Sequence, residues 1–436
     1  MRRTAPGLAG IAALALVLAA CGNDSGDSNT DNESGSGSTS IEADLTWWDT
    51  SDPDNEAPAY DALIEKFNEE YPDVTIKHET VPFDQTQNKF KTAAESGSGA
   101  PDILRAEVAW TPEFASLGYL YALDGTAALD NNFAETPLSS NVFEGSTYGV
   151  PQVTDTLGLM YNKALFEKAG VAFPPKTLEE MEAAAKAITN KDEGVFGFCG
   201  RGKGAAGTSQ FSTVMFSNGS EWSTGGKSNL LDPKWLDTMT WYGNLIKNYG
   251  PPGATAMTWN QCQDLVLQGK IGMWLDASVF FANLVDPAQS QIADSAMVAM
   301  PPAGAGGSIP YVGGWHLSIY SQSKHKEAAW HFVQWALGKE MVLKAQLANI
   351  TTGRVSAWES EEYKAANKHP DLQESFLAAM KAGNAQWNPP VLAVSEARDA
   401  IGVVLVTAIE GGDIKAAAEA ADKTVQGLLD ATPKIQ

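Results

Sequence analysis

Tryptophan lies close to charged side chains at several points of this sequence. The chain of 436 residues contains 13 tryptophans, and two groups combine them with acidic or basic residues. The groups are Trp47-Trp48-Asp49 and Arg105, Glu107 and Trp110. An indole ring packs against weakly apolar C–H faces, whereas carboxylate and guanidinium groups can contact neighbouring hydroxyls in pairs. Together these side chains suit a neutral molecule that carries many hydroxyl groups.

One group lies at the end of a predicted strand of an open sheet, and the other follows a second predicted strand. Strands are predicted at residues 45–48, 74–77 and 101–104, and helices at about 60–67 and 83–94. This strand–helix–strand–helix order predicts an α/β fold with a mostly parallel sheet and helices on both faces. Ligands of such sheets bind beyond the carboxyl ends of the strands, where both groups lie. In the alternative, Trp47 or Trp48 packs inward, and Arg105 and Glu107 form a surface ion pair.

The alternation of elements continues along the rest of the chain. Further helices are predicted from Thr177, from Asp232 to Tyr249, and at residues 260–268, 326–337, 394–410 and 414–429, with a strand at 271–274. The run Thr177-Leu178-Glu179-Glu180 is a capping box, and Pro233 suits the first helical position. No period of 20–50 residues indicates a repeat architecture.

The first 40 residues have the composition of an export signal and a tether. Arg2 and Arg3 precede an apolar run at residues 8–20, which is too short to span a bilayer comfortably, and Cys21 follows it. This order resembles a bacterial lipobox, so we expect residues 1–20 to be a signal peptide and Cys21 to be lipidated. Residues 22–40 contain no apolar side chain and predict a flexible tether. The alternative is an ordinary cleaved signal with a chance cysteine.

Charge and motifs argue against several functional classes. The formal net charge of −23 disfavours binding to nucleic acid or electrostatic docking on anionic lipid. The sequence has no GxSxG, HExxH or Walker motif and no His/Cys cluster with metal-ligand spacing, so we expect no metal and no cofactor. Outside the cytosol Cys199 and Cys262 can form a disulfide, with free buried thiols as the alternative.

Four segments, in the same order along the chain, carry a family resemblance. They are Ala100-Pro101-Asp102-Ile103-Leu104, Tyr148-Gly149-Val150-Pro151 with residues 159–170, Gly269-Lys270-Ile271-Gly272-Met273-Trp274, and Val312-Gly313-Gly314-Trp315 with its following helix. In this order they resemble the family 1 extracellular solute-binding proteins, the maltose-binding-protein-like receptors of ABC importers. Residues 197–203, 249–254 and 273–277 are similar to polyol-binding members of the mannitol and sorbitol type.

The resemblance implies two α/β lobes of the periplasmic-binding-protein type, joined by three crossing segments, with the ligand cleft between them. We expect the first lobe at 41–150 and 277–312, and the second at 151–276 and 313–436. The implied function is capture of a sugar or polyol, without catalysis, by a monomer anchored through lipid on the extracytoplasmic face of the cell membrane. An ABC permease with its ATPase would be the partner. The alternatives are a secreted enzyme that acts on glycosides and a receptor for a non-sugar solute. Such an enzyme would need two carboxylates beside the glycosidic bond, and no sequence motif identifies such a pair.

The resemblance also suggests ligand-binding residues. Asp155 aligns with an acidic sugar contact after the first crossing, with a turn or helix-cap role as its alternative. Trp274 and Asp276 lie at the expected second crossing, and Trp315 lies at the third. The remaining candidates are Gln85, Trp222, Arg354 and Trp387. The alternative is exposed decoration of a lobe for Trp222 and Trp387, a helix-end cap for Arg354, and a core position at the lobe interface for Trp315.

Overall fold

The computed structural model describes residues 41–50, 57–126 and 132–432, except for the side chain of Asp84. The expected signal peptide, Cys21 and the tether lie outside the described residues. The strands are β1 Ala43–Asp49, β2 Val74–Thr80, β3 Ile103–Glu107, β4 Val142–Phe143, β5 Ser146–Thr147, β6 Val150–Asn162, β7 Phe196–Cys199, β8 Ser223–Thr224, β9 Lys227–Ser228, β10 Ile271–Ala277, β11 Ala296–Ala299 and β12 Val312–Ile319.

The helices fill most of the remaining chain. They are α1 Ala57–Glu70, α2 Phe83–Ser96, α3 Thr111–Ser116, α4 Glu135–Ser139, α5 Lys163–Ala169, α6 Leu178–Ile188, α7 Thr208–Ser217, α8 Pro233–Tyr249, α9 Trp259–Leu267, α10 Phe281–Leu284, α11 Lys326–Ala336, α12 Lys339–Leu347, α13 Val355–Glu359, α14 Glu361–Ala366, α15 Pro370–Ala382, α16 Val394–Glu410 and α17 Ile414–Ala431. Across the described residues, none of these helices has both the length and the apolar character needed to cross a bilayer.

The main strands form one path in the order β2-β1-β3-β12-β6-β10-β7, and β11 also pairs with β6. Strands β2, β1 and β3 are parallel, as predicted. The centre differs from the prediction, since β12 is antiparallel to both of its neighbours and β6 is antiparallel to β10 and β11. Neighbouring parallel strands must be joined by a crossover connection, which is usually a helix, whereas antiparallel strands need none. Strand β6 continues from one half of the sheet into the other, so the strands beside it can pair in the antiparallel direction.

The first lobe is built on β1, β2, β3 and the end of β12. Its core joins Trp47 and Phe67 to Leu317 and to Phe332 of α11. On the other face of the same strands, Phe90 of α2 packs among buried apolar side chains. Helices therefore cover both faces of this part of the sheet, as the alternating pattern predicts.

The second lobe is built on β7, β10, β11 and the end of β6. Its larger core gathers apolar side chains of α6, α7, α8 and α16 against β7 and β10. A smaller core contains Trp274, Phe281 and Val298 together with Cys199 and Cys262. These two cysteines are joined in a disulfide that ties β7 to α9.

Three segments connect the lobes. Residues 150–156 of β6 pair with β12, and residues 157–161 pair with β10, so β6 runs through both lobes. Strand β12 runs back in the opposite direction. The third segment follows α12 and passes beside β6, where the Thr154 N–H donates to the Thr351 carbonyl at 3.1 Å.

The packing differs from the expected lobe boundaries in two segments. Residues 277–312 were expected in the first lobe, but Phe281 and Val298 pack beside Trp274, and β11 pairs with the second half of β6. Residues 313–436 were expected in the second lobe, but Leu317, Phe332 and the rest of α11 complete the first core. Strand β10, which was expected to be the second crossing, does not pass between the lobes. All of its residues are buried, and it is paired with β6 on one side and with β7 on the other.

We predict that the disulfide contributes to stability. Replacing Cys199 and Cys262 together by alanine should lower the free energy of unfolding by about 2–4 kcal/mol, since the bond closes a long loop in the unfolded chain. The two cysteines are 63 residues apart in the sequence. Urea unfolding of the double variant and of the wild type, each with and without reductant, measures the difference. A reductant effect of equal size in both proteins would contradict the prediction.

Candidate functional site

A buried carboxylate lies on the first crossing strand, where the lobes meet. Asp155 of β6 is paired with Gly313 of β12 and is 5% exposed. The hydroxyl of Tyr311 donates to Asp155 Oδ2 at 3.1 Å, and Ser278 Oγ donates to Asp155 Oδ1 at 3.4 Å. Contacts from two different chain segments therefore fix the orientation of this carboxyl group.

Burial raises the pKa of Asp155 to about 7. The hydrogen bond from Tyr311 and the charge of Arg201 oppose this rise, whereas the nearby charge of Asp276 adds to it. Near neutral pH the group is therefore present in both protonation states. As an acid it donates a hydrogen bond, and as a carboxylate it accepts one, so it can contact a hydroxyl group in either state.

This pKa predicts a pH dependence of stability. The folded protein keeps the proton of Asp155 up to about pH 7, whereas the unfolded chain releases it near the ordinary value of 3.8. The resulting stabilisation is present at acid pH and is lost as the pH rises towards 7. Relative to Asp155→Asn, the wild type should lose about 2–4 kcal/mol of unfolding free energy between these limits. Urea unfolding at several pH values tests this, and parallel curves for the two proteins would contradict it.

A second carboxylate, Asp276 at the end of β10, is tied to a guanidinium. Arg201 Nε donates to Asp276 Oδ2 at 2.9 Å, and a second nitrogen of Arg201 donates to Oδ1. Gln210 Nε2 also donates to Oδ1, at 3.1 Å. Asp276 is fully buried, whereas the Arg201 side chain is 15% exposed. The two-point contact holds the planar guanidinium in one orientation, with one edge reserved for Asp276.

An aromatic pair lies beside Asp155. The rings of Trp387 and Tyr311 are 4.9 Å apart at an angle of 33°. The approach of Trp387 to the crossing strand requires glycine, since a Cβ at Gly313 would lie 2.9 Å from Trp387 Nε1. The next residue, Gly314, has a φ of 126°, which other residues rarely adopt. Gly313 thus makes room for an indole beside the crossing strand, and Gly314 supplies a backbone conformation that other residues rarely adopt.

One ion pair connects the two lobes directly. Arg398 of α16 donates to Glu107 Oε1 at 3.5 Å, and its guanidinium lies 5.3 Å from the centre of the Trp387 ring. Burial raises the pKa of Glu107, and the charge of Arg398 opposes that rise. A second contact between the lobes runs from Ser395 Oγ of α16 to Gln87 Oε1 of α2, at 3.1 Å. In the described structure the two lobes therefore touch through side chains of α16.

The first lobe contributes a further aromatic and guanidinium group. Arg105 donates to Asp49 Oδ1 at 3.2 Å, and its guanidinium lies 4.8 Å from the centre of the Trp315 ring. Trp315 of β12 is paired in register with Glu107 of β3. This group therefore adjoins the Glu107–Arg398 pair, and the two groups form one polar and aromatic site.

Several buried polar atoms at this site have no hydrogen-bond partner within the described part of the protein. They are Nε1 of Trp315, Nε1 of Trp387, Oε1 of Gln152 and Oδ1 of Asn388. Gln152 lies at the register shift of β6 against β12, next to the partner of Trp315. Unpaired indole nitrogens also occur in the lobe cores, for example in Trp235. Those of Trp315 and Trp387 differ because they lie beside the crossing strands, where hydroxyl groups of a ligand could satisfy them.

Seven of the predicted residues are brought together here. They are Asp49, Arg105, Glu107, Asp155, Asp276, Trp315 and Trp387. Over the residues described, no group of three or more His, Cys, Asp or Glu side chains could hold a metal ion. The arrangement offers ring faces, fixed carboxylates and fixed guanidinium groups, which is the chemistry required to hold a polyhydroxylated molecule.

The other candidates lie elsewhere, for packing reasons. Trp47 packs against Tyr60 and Phe332 in the first core. Trp48 points to the opposite face and is also buried, with the Lys89 ammonium 3.8 Å above its ring. Neither ring belongs to the group of side chains around Asp155, since alternate residues of a strand enter the two layers that cover it.

The other five candidates have different surroundings. Gln85 is exposed. Trp110 stacks on Phe83 and packs against Phe114. Trp274 lies in the core around the disulfide, and Trp222 packs on Phe211 while its Nε1 donates to the Trp387 carbonyl at 2.7 Å. Arg354 donates to the Leu337 carbonyl at 2.7 Å and lies over Phe133. Trp222 thus supports the site from behind.

Sequence reasoning missed Arg201, Tyr311 and Arg398 as site residues. Arg201 lies between two glycines, and a Cβ at Gly202 would lie 2.3 Å from the Ala254 carbonyl oxygen. This Gly-Arg-Gly run is a local signal in the sequence, but no known motif surrounds it that assigns the arginine a role. Arg398 is a single charge on an amphipathic helix, and no local pattern distinguishes it from a surface arginine.

Comparisons with known proteins agree with this architecture. Residues 53–342 match the family described as bacterial extracellular solute-binding protein. The mannitol-binding protein of Pseudomonas aeruginosa is 28% identical over 318 residues, which are 70% of this chain and 72% of that protein. The GacH receptor of Streptomyces glaucescens, solved without ligand and with acarbose, is 30% identical with a TM-score of 0.79, covering 90% of this chain and 100% of that one.

A third similar protein is an ABC transporter solute-binding protein of Agrobacterium vitis, solved with bound D-mannitol. It is 27% identical with a TM-score of 0.73, and the match covers 89% of this chain and 97% of that one. These similarities confirm the expected two-lobed α/β fold.

Proposed function

Because the chain belongs to the bacterial extracellular solute-binding protein family, we propose that it captures a sugar or a polyol between its two lobes. Two of the similar proteins are a mannitol-binding protein and a receptor solved with D-mannitol, and a third is solved with acarbose. The proposed ligand contains many hydroxyl groups and carries no net charge. The alternating indole and polar groups of the site support this choice.

A single observation carries the proposal. Trp315 and Trp387 lie beside the crossing strands, next to side chains whose orientations are fixed by contacts inside the protein. Fixed donors and acceptors bind a hydroxyl without first losing side-chain freedom, which favours affinity. The ring faces add apolar contact with the C–H groups of the ligand.

Closure follows from the division of these residues between the lobes. Arg105 belongs to the first lobe, whereas Arg201 and Trp387 belong to the second. A ligand that contacts both sets binds the closed form more tightly than the open form and therefore shifts the population towards closure. The Glu107–Arg398 pair joins the two lobes, so we expect it to break when they separate and to stabilise the closed form alone.

Delivery to a membrane transporter completes the proposed function. The order of charges and apolar residues before Cys21 supports export and attachment of acyl chains to that cysteine. The receptor would then stay at the extracytoplasmic face and present its closed form to an ABC permease whose ATPases are separate chains. The similar proteins are binding proteins rather than enzymes, which supports a role without catalysis. Asp276 is occupied by Arg201, which disfavours it as a catalytic base.

A ligand panel tests the proposal. The purified protein is screened by thermal shift with D-mannitol, D-sorbitol, glucose, maltose, maltotriose and short peptides, and each hit is titrated by calorimetry. We expect stabilisation by a polyol or a sugar, recovered unchanged after incubation, because binding to the folded state alone raises stability. Stabilisation by peptides alone would favour the non-sugar receptor, and turnover of an oligosaccharide would favour the glycoside-acting enzyme.

A further inference from the structure

A histidine outside the site lies between two carboxylates. His78 of β2 contacts Asp49 Oδ2 through Nε2 at 3.0 Å and Asp61 Oδ1 through Nδ1 at 2.8 Å. An ionised carboxylate only accepts hydrogen bonds, so both ring nitrogens must donate. The geometry therefore fits the doubly protonated, positively charged imidazole.

The surroundings of His78 favour this charged form. Its side chain is only 7% exposed, and its ring lies 4.8 Å from the Trp47 ring. Burial alone lowers the pKa of His78, but the hydrogen bonds and charges of Asp49 and Asp61 raise it above its ordinary value. Asp61 belongs to α1 and its side chain is 62% exposed, so one end of this group meets solvent.

The other end of the group reaches the ligand site. Asp49 is fully buried and shares its two oxygens between His78 and Arg105. Arg105 in turn lies against the Trp315 ring. A continuous line of contacts, Asp61–His78–Asp49–Arg105–Trp315, therefore leads from the surface of the first lobe to the proposed cleft.

We propose that His78 is a positioning residue whose proton holds Asp49 and Arg105 in place behind Trp315, and so makes ligand affinity depend on pH. This inference rests on the proposed function. When His78 loses its charge, the Asp49 carboxylate attracts Arg105 more strongly and draws it away from the Trp315 ring. Affinity is therefore high while His78 is protonated and falls as the pH rises through its titration.

The charged groups that face His78 come from three elements. Asp49 lies on β1, Asp61 on α1, and Arg105 on β3 beyond Asp49. Its neighbours on β2, Lys77 and Glu79, pair with each other and alternate to the opposite face of the strand. The proton of His78 is therefore governed mainly by the two aspartates.

The test compares wild-type protein with His78→Gln and Asp61→Asn. Affinities for D-mannitol and for maltose are measured by calorimetry between about pH 6 and about pH 9, the range that brackets a raised histidine pKa. Wild-type affinity should fall about three- to tenfold over this range, as expected for coupling through neighbouring side chains. His78→Gln should lose most of this fall in affinity and keep only the part that comes from Asp155, whose pKa is about 7. Asp61→Asn changes an exposed residue and should move the wild-type midpoint to lower pH.

His325→Gln is the matched control, since His325 is also in the first lobe but caps α11, where its backbone N–H donates to Ser323 Oγ at 3.0 Å. His325→Gln should keep the wild-type pH profile of affinity. If the loss of any histidine altered that profile, this variant would alter it as well. Nuclear magnetic resonance of the ring nitrogens of His78 gives a readout that needs no ligand, with both nitrogens protonated at neutral pH. A flat wild-type profile, or a profile retained by His78→Gln, overturns the role of His78 alone. Failure of both probes to bind at any pH overturns the proposed function, and this inference with it.

Discussion

Replacing Asp276 by alanine should lower the free energy of unfolding by about 3 kcal/mol, the low end for breaking a buried ion pair. The change leaves Arg201 without its two-point acceptor and removes the acceptor for Gln210 and for the Ala277 N–H. Because the Arg201 side chain is 15% exposed, solvent recovers part of the loss. Urea unfolding at neutral pH measures the difference from wild type.

A double variant separates stability from binding. In Arg201→Met with Asp276→Leu, both charges are replaced by apolar side chains of similar length, so most of the lost stability should return. Ligand binding should not return, because the guanidinium that the pair positions is gone. If the double variant binds as tightly as wild type, the Arg201–Asp276 pair is part of the architecture only. If Asp276→Ala is as stable as wild type, the pair does not stabilise the second lobe.

Replacing Trp387 by alanine should weaken ligand binding about 100-fold, the loss typical of a central aromatic residue in a binding site. The change removes a ring face that lies against Tyr311 and Arg398, and it removes the buried Nε1 beside Gly313. The affinity of Trp387→Phe should lie between those of wild type and Trp387→Ala, since phenylalanine keeps a ring face but has no N–H donor. Calorimetry with the tightest ligand of the panel measures all three proteins.

Trp241→Phe serves as the control for this prediction. Trp241 is a half-buried tryptophan on α8, and its Nε1 donates to Glu182 at 2.7 Å, away from the crossing strands. Its replacement should leave affinity within about twofold of wild type, as expected for independent sites. Circular dichroism confirms that each variant is folded. Equal losses in the Trp241 and Trp387 variants would indicate a general loss of structure, and an unchanged affinity in Trp387→Ala would remove this ring from the site.

Much of the secondary structure could be predicted because its signals are local. The Thr177 cap is present, with its hydroxyl accepting from the Glu180 N–H at 3.2 Å. The predicted capping box is only half formed, because the Glu180 carboxylate accepts from the Lys176 N–H at 2.6 Å instead of the Thr177 N–H. Helix α8 begins at Pro233 and ends at Tyr249, and α16 ends at Glu410 before the left-handed Gly411, as predicted. Caps and helix-ending glycines depend on backbone hydrogen bonds within a few residues, so the sequence alone identifies them.

The assignment of segments to lobes could not be predicted in the same way. The apolar face of α11 is visible in the sequence, but it does not specify whether that face packs on β1 or on β10. The outcome depends on where β12 turns back, which is a long-range property of the sheet. Residues 277–312 were misplaced for the same reason, because the pairing of β11 with β6 has no local signal.

The site was only partly predictable. Asp155 and Trp315 were found through the family resemblance, since both lie on crossing strands. Tyr311 and Arg398 come from distant segments and meet Asp155 and Glu107 only through the tertiary structure. Trp47 is the opposite case. It has the expected residue type and lies near the end of a strand, but its side chain points into the first core. Alternate residues of a strand point to opposite faces of the sheet, and that alternation decides which layer Trp47 enters.

The most direct test of the proposed cleft follows the indole N–H groups by nuclear magnetic resonance, in protein whose tryptophans carry an isotopic label. Each signal is assigned by substitution, and the tightest polyol or sugar of the panel is then added to saturation. The signals of Trp315 and Trp387 should move, because ligand hydroxyls accept hydrogen bonds from these two nitrogens, while those of Trp47 and Trp241 should stay in place. Binding that leaves the signals of both Trp315 and Trp387 unchanged would contradict the location of the site.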